Sequence, residues 1–201
     1  AYTVVNGVTN LAGAVQFAGV VSGSGWGPQT VNAISSLGGF ADAITVAGGF
    51  AYLGEGATLT VLDLTNPAVP LKRGSLRLTG NIRAVTAAGS HVYAACGEAG
   101  LHIVNVSQPD APALVQSFNS SGVAMDVAVT GSTLVLADGP QGLRFINIAN
   151  PATPALVGTL PTTGPAVAIR VSGSTAWVAD GFEGLLAVNV ANPASPTVIG
   201  R

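Results

Sequence analysis

The sequence predicts an all-β protein built from repeated four-stranded sheets. The first observation is a strict repeat, because prolines recur every 42 residues at Pro67, Pro109, Pro151 and Pro193. The second is the alternation of apolar and polar residues within each copy, which is typical of strands. The third is composition: 48% of the 201 residues are apolar and 8% are charged, and 27 glycines punctuate the apolar runs. Such a chain is expected to fold rather than to remain disordered.

The third full copy shows the predicted strands most clearly. Its four apolar segments are MDVAVTG (125–131), TLVLADG (133–139), GLRFINIAN (142–150) and PALVGTLPT (154–162), with an irregularity expected near Asn147. Each segment ends at Gly, Asn or Pro, which are turn residues. Four strands in 42 residues fit the spacing of about 8–12 residues that all-β folds use.

A repeated proline stretch, Asn-Pro-x-x-Pro in three copies and Gln-Pro-x-x-Pro in one, predicts the turn between the third and fourth strands of each copy. It reads TNPAVP at 65–70, SQPDAP at 107–112, ANPATP at 149–154 and ANPASP at 191–196. Proline fixes φ and has no N–H, so it ends the ladder of the third strand. The preceding Asn accepts the extended geometry and can cap the turn with its side chain.

A β-propeller of about five four-stranded blades is the predicted architecture, because a blade takes about 40–45 residues. We expect one domain over residues 1–201. Its blades are placed at about 1–38, 39–80, 81–122, 123–164 and 165–201, the first being divergent. A leucine-rich solenoid is not favoured, because such an array repeats its L-x-x-L-x-L spacing with one strand every 20–29 residues, and the repeat here is 42 residues long. Closure by five blades, continuation into a longer array, and completion by neighbouring molecules all remain open.

The third strands carry a recognisable signature. They read LTVLD (59–63), LHIVN (101–105), LRFIN (143–147) and LLAVN (185–189). With Asn-Pro after most of them, they resemble the LVIVD-repeat β-propeller family of bacterial, mostly exported proteins. The resemblance covers 39–201 well and 1–38 poorly, and the closing acidic residue is kept only as Asp63. It implies the fold and an extracellular or cell-surface location, and the family shares no single reaction.

The charge, the hydropathy and the single cysteine argue against nucleic-acid binding, a membrane-spanning helix and an internal disulfide. Net charge is −2 and only seven residues are Lys or Arg, so no nucleic-acid-binding stripe is expected, although Lys72, Arg73, Arg77 and Arg83 cluster. No apolar run is long enough for a membrane helix. The lone Cys96 excludes an internal disulfide and is expected to be buried. Sparse Lys and Glu with plentiful Gly, Thr, Ser and Asn also suggest an exported bacterial protein.

Charged side chains are predicted to gather at one rim of the central channel. The loops from strand 2 to strand 3 and from strand 4 to the next blade share that face, and the innermost strands open there. The candidate ligand-binding residues on this rim are Asp42, Arg83, Asp126, Asp138, Arg170, Asp180 and Glu183. Glu55, Glu98 and Gln141 fall in the same loops.

Each of these residues has two possible roles, one in stabilising the fold and one in binding or catalysis. Asp-Gly pairs such as Asp138-Gly139 are strong turn signals, whereas a ring of oxygens could bind calcium. By the 42-residue interval Asp42 is equivalent to Asp126; the two could act as acid and base, or bond inner-strand amides. His91 and His102 are interpreted as surface residues, and Trp177 as buried or covering an edge. No catalytic or metal-binding constellation is predicted.

The favoured hypothesis is therefore a non-catalytic, exported module that binds protein or glycan, or assembles, at the cell surface. It requires no cofactor. One alternative is a structural subunit of an extracellular polymer that associates with itself. The other is an enzyme that uses the rim carboxylates and Arg170, with calcium as a possible cofactor.

Overall fold

The computed structural model describes residues 41–201 in full and, of the preceding segment, the backbone of four short strands. Those strands are β1 (Val8–Leu11), β2 (Ala14–Phe17), β3 (Gly19–Val21) and β4 (Gln29–Val31). They form two antiparallel pairs, β1 with β2 and β3 with β4. The predicted divergent first blade, 1–38, otherwise lies outside the described residues.

Residues 43–200 form four antiparallel sheets, each of four strands in sequence order. Sheet 1 contains β5 (Ala43–Ala47), β6 (Phe50–Glu55), β7 (Thr58–Asp63) and β8 (Leu71–Arg77). Sheet 2 contains β9 (Ala84–Ala88), β10 (His91–Ala95), β11 (Leu101–Asn105) and β12 (Ala113–Phe118). Sheet 3 contains β13 (Asp126–Thr130), β14 (Thr133–Ala137), β15 (Leu143–Asn147) and β16 (Ala155–Leu160). Sheet 4 contains β17 (Ala168–Ser172), β18 (Thr175–Ala179), β19 (Leu185–Asn189) and β20 (Thr197–Gly200).

The sheets are arranged as propeller blades. Their first strands, β5, β9, β13 and β17, pack beside one another in succession and form the inner side of the fan. The chain is therefore the all-β, β-propeller-like repeat protein that the sequence predicts, with strands of the third copy within three residues of the predicted segments. The only helix in the described part of the chain is a single 3-10 turn at Gly181–Glu183. No helix among these residues is long and apolar enough to cross a membrane.

The turns have the predicted chemistry. In the first of them, the side chain of Asn66 accepts a hydrogen bond from the Ala68 amide at 3.1 Å, and Asn150 and Asn192 do the same two and three copies later. The last residue of each third strand adds a second cap. Asn147 Oδ1, for example, accepts the Ala149 amide at 2.9 Å. The side chains thus satisfy backbone donors that the ladder leaves unpaired.

The predicted irregularity near Asn147 is a bulge that occurs in each of sheets 1 to 4. In sheet 3 the register between β15 and β16 shifts between Phe145 and Ile146, so Val157 is left without a directly paired partner. Sheets 1, 2 and 4 shift at the equivalent place. A bulge bends and twists the outer strand.

Three apolar cores hold neighbouring sheets together. We call the face of a sheet that contacts the following sheet its trailing face, and the opposite face its leading face. Leu59, Leu101 and Leu143, one per third strand, lie on the trailing faces of sheets 1 to 3 and are fully buried. Burying a leucine side chain contributes about 1.5–3 kcal/mol, so the repeated leucine is a main determinant of how the sheets stack.

Glycines in the outer strands allow close approach of the next sheet's proline turn. A Cβ on Gly74 would lie 2.5 Å from the Pro109 carbonyl oxygen, and one on Gly158 would overlap the Pro193 carbonyl oxygen. The intervening copy has Gln116 at this position, and its Nε2 donates to the Ala152 carbonyl at 3.4 Å. The turns of sheets 2, 3 and 4 therefore each rest on the outer strand of the sheet before them.

Candidate functional site

The inner strands of sheets 1 to 4 line a cavity of about 650 Å³. Its charged lining residues are Asp42, Arg83, Asp126 and Arg170. Thr45 and Thr86 contribute hydroxyl groups, and valines and alanines of the inner strands supply apolar wall. Four of the seven predicted rim residues thus line one cavity. Whether it binds a ligand stays a prediction.

Asp126 ties sheet 3 to sheet 4 at the cavity wall. Its Oδ1 accepts the Val127 amide at 2.8 Å, and its Oδ2 accepts the Ile169 amide at 2.9 Å. Oδ2 also accepts Arg170 Nη1 at 2.7 Å, although the Arg170 side chain is 79% exposed. Both carboxylate oxygens are therefore occupied by donors, so the alternative in which Asp126 bonds inner-strand amides is confirmed.

The predicted equivalence of Asp42 and Asp126 is wrong. The Asp42 amide donates to the carbonyl of Gly54, just as the Arg83 and Met125 amides donate to the matching carbonyls of their own sheets. Asp42 therefore aligns with Arg83 and Met125. The reason is the loop between the second and third strands, which is one residue shorter in sheet 1 than in the other sheets. Gly54 pairs with Leu59 in sheet 1, whereas the equivalent Ala95 pairs with Leu101 in sheet 2. Asp42 and Arg83 are exposed.

Asp138 does not reach the rim as an accessible ligand group, because it is fully buried. Its Oδ2 accepts Arg144 Nε at 2.5 Å, an ion pair across the hairpin of sheet 3. Gly122 lies directly above, since a Cβ there would come within 2.5 Å of Asp138 Oδ2. The Asp138 Oδ1 atom has no hydrogen-bond partner. This carboxylate is part of the structural core, and the rim prediction for it is wrong.

Asp180 repeats this arrangement with different partners. It is 1% exposed, its Oδ1 accepts the Gly164 amide at 3.2 Å, and its Oδ2 is 3.7 Å from Arg201 Nη1. The residue equivalent to Arg144 is Leu186, so the nearby cation is Arg201, which directly follows the fourth strand, and not a residue of the third strand. Asp180 is not accessible on the rim either, whereas Glu183 is exposed in the 3-10 turn beside it.

His102 also differs from the sequence interpretation, because it is buried and not on the surface. Its Nδ1 is 2.7 Å from Ser117 Oγ, and its Nε2 is 2.9 Å from the Thr79 carbonyl oxygen. It occupies the place of Arg144 in sheet 2, and Cys96 takes the place of Asp138. The two positions held by Asp138 and Arg144 in sheet 3 therefore carry different residues in each sheet. In sheet 1 they are Glu55 and Thr60, which are hydrogen-bonded to each other.

Cys96 is buried as predicted, and burial raises the pKa of its thiol to about 12. A thiol in this state is a poor nucleophile and a poor metal ligand. No group of three or more His, Cys, Asp or Glu side chains suited to a metal ion occurs within the described residues.

One ion-pair bridge between sheets 1 and 2 was missed in the sequence. Arg73 donates to both oxygens of Asp110, at 2.7 and 2.8 Å, and to Asp63 at 3.0 Å. Hydrogen bonds from Arg73 lower the pKa of Asp110. The bond from Thr65 is the main cause of the lowered pKa of Asp63. Arg73 is thereby committed to a structural contact, which removes it from the predicted basic cluster as a free cation.

Comparison with known proteins identifies the family of the repeat and finds solved structures with a similar fold. The family model of the LVIVD repeat matches the chain four times, over residues 38–77, 79–120, 121–162 and 163–201. No curated protein matches. The fold is similar to a crystal structure of a functionally unknown protein from Desulfotomaculum acetoxidans DSM 771. That comparison has a TM-score of 0.72 and 13% identity, and it covers 86% of this chain and 59% of that one. It is also similar to the computationally designed Ika4 protein, with a TM-score of 0.63 and 11% identity over 79% of this chain and 96% of that one. This chain thus spans less than two thirds of the first of these proteins, and at such identities the likeness concerns the fold alone.

Proposed function

This chain belongs to the LVIVD repeat family, and we propose that it acts as a non-catalytic binding module, exported by a bacterium to the cell surface. Its ligand would be a glycan or a protein segment that enters the cavity between the inner strands. No cofactor is needed for this role.

The observation that carries the proposal is how the charges of the cavity are used. Asp126 already accepts two backbone amides and Arg170, so it is not poised to take a proton from a substrate. A general base needs free hydrogen-bonding capacity directed at the reacting group. Arg83 and Asp42 are exposed at the cavity and are free to meet a ligand's polar groups. A concave surface with a few polar groups on an apolar wall is typical of a binding site.

Titration calorimetry with soluble oligosaccharides, neutral and uronic-acid-containing, and with short peptides tests the proposal. A ligand that binds should lose about tenfold or more in affinity in Arg83→Ala, because a charged hydrogen bond contributes about 1.5–3 kcal/mol. Arg77→Ala is the matched control, since Arg77 is exposed on the outer strand of sheet 1, away from the cavity lining. Equal losses in both variants, or turnover of a bound probe, would contradict a binding role for the cavity.

A structural subunit of an extracellular assembly is the second candidate. Among the described residues, Leu185 on the trailing face of sheet 4 is 58% exposed while its three equivalents are fully buried, and sedimentation velocity tests this candidate. The third alternative, a calcium-assisted enzyme at the channel mouth, is tested by calcium titration. Saturable heat that disappears in Asp42→Asn would support it.

A further inference from the structure

Asp126 shows how the inner strands of two neighbouring sheets hold a carboxylate. Its oxygens accept the Val127 amide of sheet 3 at 2.8 Å and the Ile169 amide of sheet 4 at 2.9 Å. Arg170 Nη1 is a third donor, at 2.7 Å. Two backbone amides and a guanidinium thus form a carboxylate-binding arrangement at the junction between sheets 3 and 4.

The junction between sheets 1 and 2 repeats this arrangement without the carboxylate. Ile44 of sheet 1 and Val85 of sheet 2 occupy the same ladder positions as the residues whose amides Asp126 accepts. Because the N–H groups along a strand alternate between its two edges, the Ile44 and Val85 amides point to the same side. No side chain among the described residues accepts these two amides. The residue equivalent to Asp126 is Ala43, which has no acceptor in its side chain.

Two side chains bring further donors to this junction. Ala43 and Ala47 pack in the core between sheets 1 and 2, so Thr45, which lies between them on strand β5, faces sheet 2. Val85 belongs to the same core, so Arg83, two residues before it, is on the side of sheet 2 that faces sheet 1. Thr45 and Arg83 both line the cavity. A hydroxyl group and a guanidinium therefore accompany the two amides.

The charges of the cavity leave Arg83 as the uncommitted cation at this junction. Arg83 forms no ion pair with any described residue, and Asp126 already has its own cation. Asp42 is next to Ala43 in the chain and is therefore on the other face of sheet 1. Residues 1–40 contain neither Asp nor Glu, so that segment has no carboxylate side chain to place here. The junction is matched to an anion that the neighbouring segment does not supply.

We propose that the junction between sheets 1 and 2 binds a carboxylate of the ligand, held by the Ile44 and Val85 amides and by Arg83. The inference rests on the proposed binding function and narrows its ligand to an acidic glycan. Hydrogen bonds from amides and arginine to a carboxylate are stronger than those between neutral groups. The hydroxyl groups of Thr45 and Thr86 on the cavity wall both donate and accept, which suits the hydroxyl groups around the carboxylate of a uronic acid.

Titration calorimetry with trigalacturonic acid and its methyl ester tests the proposal, because the ester has the same sugar rings and no charge. The acid should bind about tenfold or more tightly than the ester. Ala43→Asp places a carboxylate of the chain itself at the junction and should weaken binding of the acid about tenfold or more. Ala168→Asp is the matched control, since Ala168 is the equivalent residue of sheet 4 and does not line the cavity. It adds the same charge and should have no effect on binding.

Thermal unfolding of the same variants tests the junction without a ligand. In Ala43→Asp the new carboxylate should accept the Ile44 and Val85 amides, and the melting temperature at pH 7 should rise by about 2 °C or more. Ala168→Asp should show no such rise, because the amide that follows it, that of Ile169, is already bound by Asp126.

Equal affinities for the acid and the ester, both reduced by Arg83→Ala, would overturn this inference and leave the proposed binding function standing. A melting temperature of Ala43→Asp below that of the wild type would also overturn it, because the junction would then not hold a carboxylate. Binding of the peptide Gly-Glu-Gly in place of trigalacturonic acid would overturn the choice of a glycan. Failure of every probe to bind the wild type would overturn the proposed function and the ligand class together.

Discussion

Arg144 and Asp138 form an ion pair inside the hairpin of sheet 3, with Arg144 Nε 2.5 Å from Asp138 Oδ2. The Asp138 side chain is fully buried and the Arg144 side chain is 15% exposed. Because a charge removed from water is costly unless it is paired, the arginine allows a carboxylate to sit beneath the linker that joins sheets 2 and 3. The other three sheets have different residues at the positions of Asp138 and Arg144. What these positions require is that any buried polar group finds a partner, and not one particular residue type.

Arg144→Met is expected to destabilise the protein by about 3–5 kcal/mol, because it leaves the Asp138 carboxylate buried without its cation. Urea denaturation monitored by circular dichroism measures the change. The double variant Asp138→Ala/Arg144→Met should lose less than Arg144→Met alone, because no lone charge remains. If the double variant were the less stable of the two, the ion pair would not explain the cost. Arg77→Met, which removes an exposed arginine, should leave stability unchanged.

Gly158→Ala is expected to destabilise the protein by about 1–3 kcal/mol, as overpacking usually does, because the added methyl overlaps the Pro193 carbonyl oxygen. The matched control is Gly200→Ala, where the nearest atom is 3.8 Å away and the expected change is within about 0.5 kcal/mol. Thermal unfolding of both variants at low protein concentration measures the contrast. Equal effects would mean that the close approach of turn and strand does not govern stability.

The periodic features of the fold could be predicted because each depends on a few neighbouring residues. The prolines, the capping asparagines and the alternating strands act locally, so the 42-residue interval locates the sheets and their turns. The bulge near Asn147 was also visible, since it disturbs the alternation within one strand. The 42-residue interval did not predict that the loop between the second and third strands of sheet 1 is one residue shorter. That deletion moves Asp42 out of register with Asp126.

The candidate site was harder to predict because burial depends on the neighbouring sheet. Asp138 and His102 are in loop-proximal positions that suggest exposure, yet the linker from the preceding sheet covers them. Glycines at the linker, such as Gly122, were a signal that could have been used, because they recur at the same interval. The open trailing face of sheet 4 has no signal within its own sequence, since Leu185 has the same residue type as its buried equivalents. Only the absence of a covering sheet among the described residues distinguishes it.

The Arg73–Asp110 contact predicts a pH dependence of stability. Arg73 holds the pKa of Asp110 below its ordinary value of 3.8 in the folded state. A lowered folded-state pKa contributes stability that is fully present above the unfolded-state pKa and is lost as the pH falls through the folded-state value. Asp110→Asn should therefore melt below the wild type at pH 7, and the difference should shrink as the pH falls below the ordinary aspartate pKa of about 4. A difference that persists unchanged at pH 2 would mean that ionisation of Asp110 is not its cause.

The residue that ends each third strand should tolerate exchange between asparagine and aspartate but not truncation. Asn147 Oδ1 accepts the Ala149 amide at 2.9 Å, and in sheet 1 Asp63 Oδ1 accepts the Thr65 amide at 2.8 Å in the same geometry. Asn147→Ala removes the acceptor and should cost about 1 kcal/mol, the usual net contribution of such a bond. Asn147→Asp retains an acceptor oxygen and should cost less. Urea unfolding at pH 7 compares the three chains, and an Asp variant as unstable as the Ala variant would show that the side-chain bond does not stabilise the turn. The requirement for an acceptor oxygen explains why the repeat closes on Asp once and on Asn three times.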